Sequence, residues 1–163
     1  MGAEIQSPPG ARRFSLAERL LLVTAGLGIL HHVDHVLRYD HSGWPFKPDV
    51  TPFTFSLLIY PILGAALLLR SRPWLRVALV AFAFVALQAA HTIVETPRDQ
   101  YHTWAAGVSD AAFAGGHPNL LHVTSPALGI VAAGLSIVLS LAALATLVAL
   151  IAEARGAARL SRR

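Results

Sequence analysis

Four long apolar segments constrain this chain more than any other feature of its sequence. Each has about the 20 residues that a helix needs to cross a hydrocarbon layer roughly 30 Å thick. Because backbone inside a bilayer must satisfy its own hydrogen bonds, and these runs are too long for barrel strands, we expect helices. The sequence therefore predicts an all-α, polytopic membrane protein, a bundle of four transmembrane helices near residues 16–37, 53–69, 74–95 and 126–152.

The composition supports a membrane protein and excludes several kinds of site. Of the 163 residues, 55% are hydrophobic and 13% are charged, against roughly 45–50% and about 25% in soluble domains. The length fits one integral membrane domain, 1–163, and argues against further domains. The absence of cysteine excludes disulfides, thiolate zinc sites and iron–sulfur clusters, and a single methionine makes a copper(I) site unattractive.

The basic residues predict how the chain is oriented. Ten of the 13 lie next to the same ends of the predicted helices, in the N-terminal segment, the link between the second and third helices, and the C-terminal segment. Basic residues concentrate on the cytoplasmic side of membrane proteins. We therefore expect a multi-pass plasma-membrane protein with cytoplasmic tails at 1–14 and 155–163. Since the positive charge marks membrane edges, we expect membrane lipid and no nucleic acid as a partner; homo-oligomerisation stays open.

All eight histidines fall in the half of the protein that faces away from the cytoplasm. At 1.5 Å per helical residue, His35 lies about 24 Å above Arg19 and His91 about 22 Å above Arg76, so the first and third helices bring their histidines to one level. His31 and His35 are four residues apart, as are His91 and Glu95. Each pair therefore shares one face of a helix.

This arrangement predicts a transition-metal site near the outer face of the bilayer. Ionisable groups inside a membrane are costly and normally have partners, and imidazole with carboxylate suits zinc, iron, nickel or copper(II) rather than calcium or magnesium. We expect zinc or iron, with copper not excluded. The candidate metal ligands are His31, His35, His91 and Glu95, completed by His117 or His122.

The other polar residues of the outer half have more ordinary interpretations. A single histidine near a membrane interface is usually an amphipathic hydrogen-bonding residue, which is the favoured interpretation of His41 and His102. Asp34 is a metal ligand, an orienting partner of a histidine, or a counter-ion of Arg38 one turn away. His32 points about 100° away from His31 on the same helix, so it cannot share its direction.

Two further features of the sequence are structural. Pro61 lies in the middle of the second predicted helix and should kink it. The connection 96–125 is long for a compact domain, and its apolar segment 111–116 would dip toward the bilayer and bring His117 and His122 close to His91.

These observations favour a membrane metalloenzyme that acts on a lipid-soluble substrate. The metal would polarise a substrate oxygen for hydrolysis or, as iron, activate oxygen. Asp34 and Glu95 are the candidate catalytic residues, as general base where they are not ligands. In size, helix number and histidine richness the chain resembles the small membrane di-iron hydroxylases. His31-His32-x-x-His35 mirrors their His-x-x-His-His motif, which itself is absent here.

Two alternatives belong to other functional classes. One is a haem-binding electron carrier in which His31 or His35 and His91 are axial ligands. The other is a non-enzymatic metal-sensing or pH-sensing subunit of a larger complex, because histidine titrates near neutrality.

Overall fold

The computed structural model describes residues 13–39, 52–109 and 115–160. Within these ranges the chain is helical, without strands; Val108 and Pro118 form one isolated bridge. The helices are α1 (Leu16–Arg38), α2 (Pro52–Ser56), α3 (Ile59–Leu68), α4 (Pro73–Ala89), a π-helical turn (Ala90–Val94), α5 (Pro97–Ala105) and α6 (Pro126–Leu160). The expectations for His41, for the loop around it and for most of segment 111–116 lie outside the described residues.

Among the residues that the structure describes, three helical segments are long and apolar enough to cross a membrane, namely Leu16–Arg38, Pro73–Val94 and Pro126–Leu160. Their outward surfaces carry exposed large apolar side chains that suit a lipid environment, including Val23, Ile29, Leu30, Phe82, Val85, Ile130, Val131, Leu141 and Val148. The protein is thus a helical bundle whose surface is typical of membrane proteins. The fourth apolar segment, Pro52–Leu68, is shorter, with 17 residues.

The second predicted helix is interrupted, and Pro61 is the cause. Proline has no backbone N–H, so Leu57 O lacks its usual partner four residues on. Tyr60 N donates to that carbonyl instead, at 3.2 Å, in the tighter pattern of a turn. The predicted kink is therefore confirmed, and it divides the segment into α2 and α3.

The starts of the long helices follow the sequence signals. Ser15 and Glu18 form the capping box that begins α1, with Glu18 N donating to Ser15 Oγ at 3.2 Å. Pro73 begins α4 and Pro126 begins α6, where a missing N–H has no consequence. The end of α6 differs from the expected residue 152. The helix continues to Leu160, because alanine and arginine favour helix beyond the apolar run.

Helix α5 was not expected, since the connection 96–125 was interpreted as a loop. Thr96 and Asp99 form a second capping box, in which Asp99 N donates to Thr96 Oγ1 at 3.3 Å and Thr96 N donates to the carboxylate at 2.7 Å. Pro97 occupies the first helical position. The helix packs against α6 and also contacts α1.

Helix α6 is the centre of the bundle and packs against α1, α4 and α5, while α3 packs on α4. The apolar core near the arginine-rich end contains Ala17, Leu21, Leu63, Ala66, Val80 and Leu150. At this end Arg70 pairs with Glu18 at 2.6 Å, and Arg76 pairs with Glu153 at 3.4 Å. The bundle therefore gathers the three arginine-rich segments at one end, away from the histidines.

Candidate functional site

A cavity of about 360 Å³ lies between α1, the α2–α3 segment and α4, with Leu139 of α6 among its lining residues. Most of its wall is apolar. Four of the predicted site residues are among its polar lining residues and are thus brought to one cavity, namely His31, His35, His91 and Glu95.

The rim of the cavity faces the outer surface of the bundle. Phe55, Leu58 and Phe82 line the cavity and are nevertheless 64%, 57% and 64% exposed. These side chains belong to apolar segments whose outer surface suits lipid. The cavity is therefore open toward the surface that would contact hydrocarbon, which is the route by which a lipid-soluble molecule would enter.

His31 and His91 form the centre of the polar wall. Their Nε2 atoms lie 3.2 Å apart and both residues are buried. Two imidazoles on one tetrahedral metal ion, with metal–nitrogen bonds of about 2.0–2.1 Å, would have their nitrogens about 3.3 Å apart. The observed separation suits either a hydrogen bond or two ligands of one ion.

A chain of hydrogen bonds fixes the orientation of His31. Ser136 Oγ contacts Gln100 Oε1 and lies 3.3 Å from His31 Nδ1. The other ring nitrogen of His31, Nε2, faces His91. Metal-binding histidines usually donate their other N–H to a fixed partner.

His91 lies in the π-helical turn, and Glu95 follows the last helical residue in extended conformation. The prediction that His91 and Glu95 share one face of an α-helix is therefore wrong, although both side chains line the cavity. Glu95 N closes the turn by donating to Ala90 O at 2.9 Å. Turns of this kind often occur at functional sites, because they reorient side chains relative to the helix before them.

His35 and Glu95 form a second pair beside the first. His35 Nε2 lies 3.5 Å from Glu95 Oε2. The other carboxylate oxygen, Oε1, accepts from Tyr39 at 2.7 Å and from Arg38 Nη1. Arg38 is fully buried, so Glu95 is held by a buried cation on one side and presents Oε2 to the histidine.

Asp34 is placed elsewhere. It is absent from the lining of the cavity, and its oxygens accept from Arg38 Nε at 2.7 Å and from Trp104 Nε1 at 2.9 Å. This geometry favours the counter-ion interpretation of Asp34, with Arg38 as its partner. Of the two predicted catalytic carboxylates, only Glu95 lines the cavity.

His32 lines the cavity on another side, in keeping with its angle on α1. Its Nδ1 is 2.9 Å from Gly28 O and 2.6 Å from the Tyr60 hydroxyl, and its Nε2 is 2.8 Å from Ser56 Oγ. Phe53 contacts both this ring and the ring of His35. His32 thus ties α1 to the α2–α3 segment.

The two remaining predicted ligands are not brought to the cavity. His117 and His122 are both exposed, and His122 adopts a positive φ of 52°. Neither is among the residues that line the cavity. In the described ranges, no three histidine, aspartate or glutamate side chains are grouped so that they could hold a metal ion. The two close pairs, His31 with His91 and His35 with Glu95, are the nearest approach to such a group.

Several residues of the polar network were missed from the sequence. Gln100 and Thr103 are fully buried on α5, and Tyr39 contacts Glu95 from the end of α1. Ser136 of α6 contacts Gln100 and also belongs to this network. The sequence does contain a signal for the two residues of α5. Thr96-Pro-Arg-Asp99 is a capping box that begins a helix, and Gln100 and Thr103 follow on that helix.

Comparisons with protein families, with curated proteins and with solved structures give no significant match to this chain. What the protein does must therefore be argued from the cavity itself.

Proposed function

We propose that this chain is a four-span membrane protein and a metal-dependent enzyme whose lipid-soluble substrate enters the cavity from the bilayer. The observation that supports the proposal is the cavity itself. Its apolar wall opens toward the lipid-facing surface, and its lining includes two close polar pairs, His31 with His91 and His35 with Glu95. In this arrangement α2 and α3 together form the fourth span, both termini are cytoplasmic, and the histidines lie near the outer face of the plasma membrane.

His31 and His91 would hold the metal ion through Nε2. The separation of these nitrogens matches one edge of a tetrahedral site, and the contact of His31 Nδ1 with Ser136 leaves Nε2 facing His91. A third ligand from the protein requires His35 or Glu95 to turn toward this pair. The residues present suit zinc or iron, for which nitrogen and oxygen ligands are usual.

When bound, the metal supplies Lewis-acid chemistry for hydrolysis or, as iron, oxygen activation. Glu95 is the general base that the cavity offers, because this residue lines the cavity, its Oε2 is 3.5 Å from His35 Nε2, and its Oε1 is held by Arg38 and Tyr39. The apolar wall excludes water from the substrate and positions its apolar part. These contributions come from the chain itself, whichever of the two reactions occurs.

The haem alternative receives less support from the geometry. A haem would be held by His31 or His35 together with His91, and its macrocycle would need space between the two rings. His31 and His91 contact each other directly, with ring centres 4.9 Å apart in an edge-on arrangement. A metal- or pH-sensing subunit remains the competing non-enzymatic function, since the same residues would serve it.

Elemental analysis of the protein, purified without a metal-affinity column, tests the proposal. We expect one or two zinc or iron ions per chain, lost in His91→Ala and kept in the matched control His102→Ala, whose histidine lies on α5 outside the cavity lining. A chain without stoichiometric transition metal, or with metal retained in His91→Ala, contradicts it. A Soret band would instead identify haem.

A further inference from the structure

The arginine-rich end of the bundle contains a cluster of side chains that the proposed function does not use. Arg19 of α1 donates through Nε to Phe14 O at 3.2 Å, and the guanidinium of Arg70 lies 5.8 Å from the centre of the Phe14 ring. Arg70 Nε is 2.6 Å from Glu18 Oε1, and Arg76 Nη2 is 4.0 Å from the same oxygen. Three arginines from α1, from the link between α3 and α4, and from α4 therefore lie around one ring and one carboxylate.

Positive charge is in excess at this end. The described part of the end contains two carboxylates, Glu18 and Glu153, and seven arginines, namely Arg13, Arg19, Arg70, Arg72, Arg76, Arg155 and Arg159. Within that part, the carboxylates form ion pairs with Arg70 and Arg76 only. Arg19 is exposed and pairs with no described carboxylate. Clusters of basic side chains at a membrane edge attract the negative head groups of acidic lipids.

Exposed apolar side chains lie next to these cations. Phe14 is 46% exposed and Leu16 is 69% exposed, and Leu16 precedes Arg19 by three residues, so these two share a face of α1. Trp74 is exposed two residues after Arg72, and tryptophan is enriched at membrane–water interfaces. A water-soluble anion would leave this apolar surface in water, whereas a lipid offers both a phosphate and a hydrocarbon chain. The combination therefore favours a phospholipid.

Arginine suits a phosphate in geometry as well as in charge. The contacts of Arg19 with Phe14 O and of Arg70 with Glu18 are made through Nε. A guanidinium has further N–H donors on its terminal nitrogens, and these donors form a planar fork that binds phosphate oxygens in pairs. Both arginines contact Phe14, so one phosphate beside this ring is within reach of two guanidinium groups.

We propose that Arg19 and Arg70 bind the phosphate of an acidic phospholipid in the leaflet at this end of the bundle, with an acyl chain along Phe14 and Leu16. Glu18 holds Arg70 in place for this contact. The site is separate from the proposed metal-dependent function, because these residues do not line the cavity. The bound lipid joins α1 to the link between α3 and α4.

Native mass spectrometry of the full chain in a neutral detergent tests the proposal with two lipids of identical acyl chains, dioleoylphosphatidylglycerol and dioleoylphosphatidylcholine. We expect phosphatidylglycerol to bind about tenfold more tightly, because only its head group carries a net negative charge. Inorganic phosphate at the same concentration should not displace it, since free phosphate makes no contact with the apolar side chains. Equal binding of the two lipids, or displacement by phosphate, would overturn the proposal.

Two variants that lose the same charge locate the site. Arg19→Gln should reduce the preference for phosphatidylglycerol by about fivefold. Because Arg19 is exposed and has no described carboxylate partner, this variant should fold normally, and its thermal unfolding without added lipid checks this. The matched control Arg98→Gln, at an exposed position of α5 near the histidine end, should keep the full preference. An unchanged preference in Arg19→Gln, or an equal reduction in Arg98→Gln, would contradict the assignment to this cluster.

Discussion

Among the charged side chains in the described ranges, Arg38 is the most completely enclosed by the protein and has no exposed surface. It pairs with Asp34 at 2.7 Å and with Glu95, and its guanidinium lies 5.2 Å from the centre of the Tyr39 ring. Because these two carboxylates and the guanidinium are all removed from water, each charge is stabilised mainly by the opposite charge beside it. Arg38 therefore determines where Glu95 points, although it is outside the cavity.

Replacing Arg38 should lower the stability of the protein. Arg38→Met keeps most of the volume but leaves Asp34 and Glu95 without their cation, and removing one partner of a buried pair costs about 3–5 kcal/mol of unfolding free energy. Arg98→Met, at an exposed position of α5, should change stability by less than about 0.5 kcal/mol. Denaturant titration of the protein in detergent measures both; equal stability of the two variants would contradict the role of Arg38.

Ser136 should affect metal affinity without being a ligand. Ser136→Ala removes the hydroxyl that contacts His31 Nδ1, and loss of such an orienting partner typically weakens metal binding about 10–100-fold. Ser140→Ala, one helical turn further along α6, is the matched control and should leave affinity unchanged. Competition with a chelator of known affinity gives both values, and identical affinities would separate Ser136 from the site.

At the scale of elements, the close approach of α5 to α6 is what completes the polar network. A Cβ added at Gly129 would lie 2.6 Å from Tyr101 O and 2.8 Å from Tyr101 Cδ2, so only glycine permits this packing. The contact carries Gln100 to Ser136 and, through it, to His31. The unexpected helix α5 is thus part of the site.

Two glycines of α6 provide a matched test of this packing. Gly129→Ala must push α5 away and should cost about 1–3 kcal/mol of unfolding free energy. Gly134→Ala has nothing within 4 Å of the added Cβ, so its stability should be unchanged or raised by up to about 1 kcal/mol through better helix propensity. Thermal unfolding in detergent distinguishes them. A neutral Gly129→Ala would mean that α5 does not pack as described.

The sequence predicts long elements well and short polar ones poorly, for a physical reason. Hydropathy and the capping residues located α1, α4 and the start of α6, since these signals are local. The depths of His31 and His91, counted along their helices, predicted that the two residues lie at one level, and their rings are in contact. The π-helical turn, α5 and the contact of Gln100 with Ser136 depend on packing between distant segments, which periodicity does not record. The same holds for Glu95, whose partner Tyr39 is 56 residues away.

At the scale of the whole molecule, the bundle has two polar ends that differ in the residues they contain. One end joins Glu18, Arg70, Arg76 and Glu153 in ion pairs, and the other joins histidines to Arg38 and Glu95. Between them the bundle surface is apolar. The excess of basic residues at the first end is the basis for the proposed cytoplasmic location of the termini.

Single introduced cysteines test the orientation, because the chain has none of its own. Leu121→Cys, at an exposed position near the histidine end, should react with an impermeant maleimide added to intact cells. Ser71→Cys, exposed in the link between α3 and α4, should react only after permeabilisation. The reverse pattern would invert the orientation and place the cavity mouth in the inner leaflet.

X-ray absorption of the zinc-loaded protein tests the central claim, that His31 and His91 hold a metal at the closed end of a lipid-facing cavity. We predict at least two imidazole nitrogens at about 2.0–2.1 Å from the ion, with both lost in the double variant His31→Ala, His91→Ala. A shell of oxygen atoms alone, or an imidazole signal that is unchanged in the double variant, would contradict the account.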